Sequence, residues 1–352
     1  MSDKTGVPAE GHADGWDGHP QASATAVAEP LDDGYTRTPR VPQEQPSLVD
    51  RLFSRGLLSA GLVVLVLLAA IGVFLLWQSR HAFAEAGFSF FTNWQFNVFS
   101  HPPKIGVLGL LIGTCVVSAI AVPIAVPLAV CAALFITEYA PPGLRKVLQG
   151  VVDLLAAVPS LLFGLWGFLY LGNQLVPLEA WMGAHLSFIP FFRVSSNVSL
   201  VDTYFIAGIV VAMMVLPITA SVVREVFSQT PAAEKEAAYA LGSTHWGMVR
   251  TVVLPFGRAG IIGGAMLGLG RALGETIAVT LLLPQVPTLV VRIFENGGAT
   301  IAAFIADRAG SPPFETSALM AAGLVLFVLT LAVNMGASAV VARSLSGADV
   351  EL

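Results

Sequence analysis

The chain has 352 residues, 55% of them hydrophobic and only 12% charged, with a mean hydropathy of +0.76. A soluble domain carries about 25% charged residues, so this composition excludes a soluble enzyme and describes a chain that crosses a bilayer several times. The formal net charge of −5 is concentrated at one end: residues 1–50 hold nine Asp/Glu against three Lys/Arg, and the other 302 hold fourteen against fifteen.

Residues 1–50 lack an apolar stretch of signal-peptide type and are rich in Gly, Pro, Ala and Asp. They read as a disordered acidic cytoplasmic tail. Residues 51–345 then form the membrane domain. Six apolar runs are long enough to span, at about 57–77, 106–136, 148–176, 203–227, 257–283 and 316–342. The second and third carry Pro123, Pro127 and Pro159, which predict kinks or tilt. With both termini inside, twelve Lys/Arg flank the inner ends of the spans and five lie in the outer loops: Arg80, Lys104, Arg193, Arg292 and Arg308. That bias places both termini in the cytoplasm.

Between the spans, three features take a structural reading. The aromatic-rich outer loop 80–104 reads as a segment lying at the headgroups. Cys115 and Cys131, sixteen residues and thus about 24 Å apart along one helix, cannot pair and read as small core residues. Asp153 and Glu138, near the inner ends of spans, read as solvated or as helix caps. His185 and the other histidines lack metal-ligand spacing, and neither a catalytic triad nor a basic nucleic-acid patch is present.

The inner loop 228–256 is more informative. Glu234 to Leu241 is a strong short helix former, Gly242 permits a sharp change of direction, and Thr244 to Val253 forms a second segment ended by Pro255. Tyr239, Leu241 and Trp246 offer apolar contacts on this helix–turn–helix. Its Glu236-Ala237-Ala238, then Gly242, then Val252-x-Leu254-Pro255 resembles the EAA loop of ABC importer permeases, with Val252 where that loop carries Ile. The resemblance implies that this loop docks on a separate ATP-binding subunit. None of the four lysines follows a glycine, so the chain contains no phosphate-cradling GxxxxGK[ST] loop of its own.

"LFITEYAPPGLRK" (134–146), "LLAAVPSLLFGLWGF" (154–168) and "LGLGRALGETIAV" (267–279) narrow the resemblance to phosphate transport permeases of the PstC type, over about residues 55 to 343. Thr276 followed by Ile277-Ala278-Val279, rather than Thr-Ala-Pro, separates it from the sister PstA type. The resemblance implies an all-α membrane protein of six spans with a type I ABC importer permease fold and a cytoplasmic coupling helix. It implies a bacterial inner-membrane complex with a PstA-type sister, two ATP-binding subunits that hold ATP and Mg, and an extracytoplasmic phosphate-binding protein. Another oxyanion, such as sulfate or molybdate, and a proton-coupled secondary transporter are the competing readings.

Arg271 and Glu275 interrupt the fifth span, where a charge costs roughly 2.5–3.5 kcal/mol on insertion scales. On an ideal helix, counted from Gly260, Gly264 and Gly268 fall at about 40° and 80°, and Arg271 and Glu275 at about 20° and 60°. The charges therefore share a face with a Gly260-Gly264-Gly268 packing stripe, turned to protein rather than lipid. One reading is an intrahelical ion pair that pins the span. The other is a substrate pathway in which Arg271 meets phosphate through its planar donors and Glu275 is the counter-charge that prevents tight retention. The resemblance favours the second.

Overall fold

The computed structural model describes residues 48–100, 103–194 and 200–346; the expected tail lies outside them except for its last three positions. The chain divides into two units, 1–60 and 61–352. Within the first, the described residues belong to the start of a long helix, Leu48–Ala86 (α1), whose apolar side chains from Leu52 to Leu58 are exposed. The second unit contains the rest of α1 and every other element.

After α1 come a short helix Ser89–Thr92 (α2) and two paired antiparallel strands, Phe96–Asn97 (β1) and Lys104–Ile105 (β2). Part of the aromatic loop packs into the protein, and Phe88, Phe91, Trp94 and Phe99 stay exposed. Phe90 and Phe96 are buried, Phe96 edge-on to Phe304 at 5.1 Å.

The second span is Leu108–Leu134 (α3), extended by a π-helical turn Phe135–Tyr139. It is continuous through Pro123 and Pro127. Every fourth residue from Gly113 to Ala133 is buried, among them Ala121, Ala125, Ala129 and Ala133. Cys115 and Cys131 are exposed free thiols, not core residues, because they fall on the opposite face of this helix.

The third span differs from expectation. Pro142–Ala157 (α4) is a separate amphipathic helix. Val158 is extended before Pro159, as a residue preceding proline tends to be, and the helix restarts at Ser160. The apolar span is then Ser160–His185, made of Ser160–Trp166 (α5), a π-helical turn Gly167–Leu171 and Gly172–His185 (α6), instead of 148–176.

Tyr204–Ser228 (α7) is the fourth span, capped by Thr203, whose hydroxyl accepts from the Ile206 amide at 3.3 Å. Ala232–Ala240 (α8) and His245–Met248 (α9) form the loop that the charge bias assigns to the inner side, the inner loop. A π-helical turn Val249–Val253 and Leu254–Phe256 (α10) lead into Arg258–Leu273 (α11), then Ile277–Leu282 (α12), Ile301–Asp307 (α13) and Pro313–Ser346 (α14). The fifth span is thus not one helix. His245–Phe256 meets α11 at 64°, and Gly274–Thr276 separates α11 from α12. Five helical runs are long and apolar enough to cross a membrane, or six with the bent pair counted as one.

At the core, α3, α7 and α11 pack against one another. Below the loop 283–300, α13 is buried through Ile301, Ala303 and Phe304; the Thr114 hydroxyl accepts from its first amide at 2.9 Å. Ser317 on α14 joins α1 by donating to the Gln78 carbonyl at 2.8 Å and accepting from the Ala82 amide at 3.3 Å.

Candidate functional site

The inner loop is a helix–turn–helix. Gly242 has φ +84°, a left-handed conformation that side chains resist, so glycine is needed there for its backbone and not for space. Thr244 caps α9 by accepting from the Gly247 amide at 3.1 Å. Glu236 and Ala237 are exposed, and Ala238 turns inward against Met248, Val249 and Val253. Leu254 is half-buried on the same cluster, while Pro255 is exposed. The second segment is not ended by Pro255. It runs to Phe256 because proline occupies the first turn of α10, where no amide donor is required. The change of direction falls at Gly257 instead, where a Cβ would stand 2.2 Å from the Phe227 ring. Leu241 is 90% exposed and Trp246 56%, so the tip of the loop presents bare apolar surface.

Two residues outside the motif hold this loop to the bundle. Lys235 Nζ lies 2.7 Å from Glu138 Oε1. His245 stands edge-on to Tyr139 at 4.6 Å, and its Nδ1 is 2.6 Å from the Tyr239 hydroxyl. Glu138 is therefore neither solvated nor a cap: it is buried and paired. Asp153 is exposed but paired, 3.3 Å from Arg224. The sequence signal for both pairs was only opposite charge, because each joins residues at least 71 positions apart.

The glycine stripe lies against α7. A Cβ at Gly260 would stand 2.5 Å from Val226, at Gly264 3.2 Å from Val223, and at Gly268 2.6 Å from Val215. The Thr219 hydroxyl faces the Gly264 carbonyl at 3.3 Å. Small residues here let two backbones approach closely.

The charged residues differ from their expected arrangement. α11 ends at Leu273, and Gly274 caps it through its amide to the Gly270 carbonyl at 3.2 Å. Arg271 occupies the last turn, where the helix dipole favours a cation. Glu275 lies beyond the helix, so it does not share the stripe's face by helical periodicity. It is 8% exposed, and its Oε1 accepts from the Ala278 amide at 3.4 Å, closing the start of α12. No carboxylate among the described residues lies within ion-pair distance of Arg271, and its Nε is buried without a hydrogen-bond partner. Each charge is offset by a helix end, not by the other. The intrahelical ion pair is absent because the helix stops between its two members.

A further carboxylate escaped the sequence reading. Glu179 on α6 is fully buried; its Oε1 accepts from the Thr203 hydroxyl at 2.6 Å and its Oε2 is unpartnered. The run 148–176 ended before it, whereas the observed span includes it. Among the described residues, no three His, Cys, Asp or Glu side chains converge as metal ligands would.

Residues 125–346 match a family described as "Binding-protein-dependent transport system inner membrane component". The chain is 42% identical over 303 residues to "Phosphate transport system permease protein PstC 2" of Mycobacterium tuberculosis, covering 85% of this chain and 93% of that protein. It is 37% identical to "Phosphate transport system permease protein PstC" of Xylella fastidiosa strain 9a5c, covering 85% and 92%. Its fold is similar to that of a bacterial ABC transporter involved in the import of the acidic polysaccharide alginate, with a TM-score of 0.56 at 20% identity over 84% of this chain and 96% of that one. The fold is that of an ABC importer permease.

Proposed function

Because this chain belongs to the family of binding-protein-dependent transport system inner membrane components, we propose that it is a pore-forming subunit of an ATP-driven phosphate importer. It pairs in the membrane with a PstA-type sister. Two ATP-binding subunits dock on the inner loop and supply the energy, and an extracytoplasmic phosphate-binding protein delivers the ion. Both termini face the cytoplasm, as the distribution of Lys and Arg favours. Relatives named as phosphate transport permeases over most of their length support the choice of substrate.

The observation that carries the reading is the state of Arg271: a guanidinium at a helix break inside the membrane domain, half-buried, without a carboxylate partner. A cation within a membrane span that lacks a carboxylate partner is costly, and a passing oxyanion relieves it with forked hydrogen bonds. Arg271 is then a transient phosphate ligand. Glu275, four residues on and across the break, supplies negative charge that keeps the anion from being held. Glu236, Ala237, Ala238, Gly242, Leu254 and Pro255 form and seat the loop on which the ATP-binding partner acts, and Gly260, Gly264 and Gly268 seat α11 on α7.

Uptake of radiolabelled phosphate at micromolar concentration, compared between a strain lacking this gene and the same strain with it restored, tests the substrate. Restored uptake that excess unlabelled sulfate does not inhibit is the expected result. Equal uptake in the two strains, or uptake abolished by sulfate, would overturn phosphate as cargo.

A further inference from the structure

Both arms of the inner loop grip the same short stretch of backbone. Lys235 on α8 pairs with Glu138, and His245 on α9 stacks edge-on against Tyr139. Glu138 and Tyr139 are neighbours in the π-helical turn that ends α3. From the other side, the Arg145 guanidinium of α4 donates to the Thr137 carbonyl of that turn.

Only 6% of the Glu138 side chain and 22% of the Lys235 side chain are exposed. A pair this covered is little screened by salt, and losing one member strands a buried charge. The pair therefore does not behave as an exposed surface ion pair, whose strength is slight. Beyond the turn, α3 packs against both α7 and α11, the helix that carries Arg271.

Resting on the ATP-driven reading above, we infer that Lys235 and Glu138 are a positioning pair that fastens the inner loop to the end of α3, so that displacement of α8 by its ATP-binding partner is delivered to the spans. The loop motif provides the docking surface; this pair, whose Lys235 lies one residue outside it, makes the docking mechanically effective. The pair stays closed through the cycle, and the apolar contacts around Met248 and Val249 seat the loop without transmitting its motion fully.

Contiguity by itself does not establish coupling, and the test measures transport and ATP hydrolysis together. The assembled complex in membrane vesicles is given labelled phosphate and ATP as wild type, Glu138→Gln, Lys235→Met and the exchange Glu138→Lys with Lys235→Glu. Wild type that hydrolyses ATP without accumulating phosphate would sink the functional reading, and the inference with it, before any variant is compared. With wild type active, each single variant is expected to keep its partner subunits and its ATP hydrolysis while phosphate taken up per ATP falls about five-fold or more. The exchange recovers most of that ratio, because opposite charge is restored. An unchanged ratio in the single variants, or an exchange no better than they are, overturns the inference. So does loss of the partner subunits in Glu138→Gln, which keeps the side-chain volume: the pair would then hold the loop's fold and not its coupling.

Discussion

α7 makes two seams, one with α3 and one with α11, and they are packed by different rules. In the first, α3 presents Ala121, Ala125, Ala129 and Ala133, each fully buried, so that one methyl per turn fills the seam. In the second, α11 presents Gly260, Gly264 and Gly268, and a methyl at the first or last would stand within 2.6 Å of a valine side chain. Alanine makes a seam that is close and filled. Glycine makes one that is closer and has no side chain to spare. The helix on the alanine side runs through two prolines without a break. The helix on the glycine side stops after sixteen residues, and both intramembrane charges of the fifth span stand where it stops. The alanine side is suited to holding shape, and the glycine side holds the two charges on which the proposed function rests.

Arg271→Gln is the strongest way to break that contrast. Phosphate uptake should fall about 100-fold, the scale of removing one preorganised charged donor, while the subunits still co-purify. Near wild-type uptake would show the break to be structural only. The next effect is steric. Gly260→Ala and Gly268→Ala should each destabilise the solubilised complex by about 1–3 kcal/mol through overpacking, read as a lower thermal midpoint. Gly264→Ala, whose new methyl would meet Val223 at 3.2 Å, should change stability by less than about 1 kcal/mol. Equal shifts at all three glycines would mean that the seam yields as a whole. On the alanine side, Ala129→Gly should cost about 1 kcal/mol by opening a methyl-sized void and leave uptake per ATP unaltered. Smallest of all, Cys115→Ser and Cys131→Ser should alter neither stability nor uptake by more than measurement error, since both thiols point out of the bundle. A membrane-permeant thiol reagent should label both in the wild type.

The turn and the start of the second helix of the inner loop were legible, while its end at Gly257 and its anchors on Glu138 and Tyr139 were not. Its turn depends on Gly242, whose amide donates to the Tyr239 carbonyl, and its second helix on Thr244, whose hydroxyl accepts from the Gly247 amide. Such bonds are local, so spacing alone conveys them. The glycine stripe was legible for a similar reason, as a four-residue period reports a helix face. The break after Leu273 was not. Gly270-Arg271-Ala272-Leu273-Gly274 continues a helical pattern, and glycine interrupts a membrane helix only where the surroundings satisfy the freed groups. Here the Glu275 carboxylate does so, and Gly164 on α5 permits the start of α12 to close in: a methyl there would stand 2.7 Å from Ala278 Cα. Glu275 lies within the segment, where its spacing from Arg271 read as a helical pair, and Gly164 lies on another helix altogether. The third span shifted because Val158-Pro159 separates a surface helix from a spanning one, and both are apolar enough to read as continuous.

Composition and periodicity by themselves determined that the chain crosses a membrane repeatedly, that its inner loop is a helix–turn–helix, and that one helix packs through glycines. These follow from hydropathy and from bonds among near neighbours. Tertiary structure alone decided which charges meet. Arg271 and Glu275, four residues apart, belong to different helix ends, while Glu138 and Lys235, ninety-seven residues apart, form a covered pair. In a low-dielectric interior each charge must be offset by whatever lies closest in space, and distance in space is set by how the helices pack.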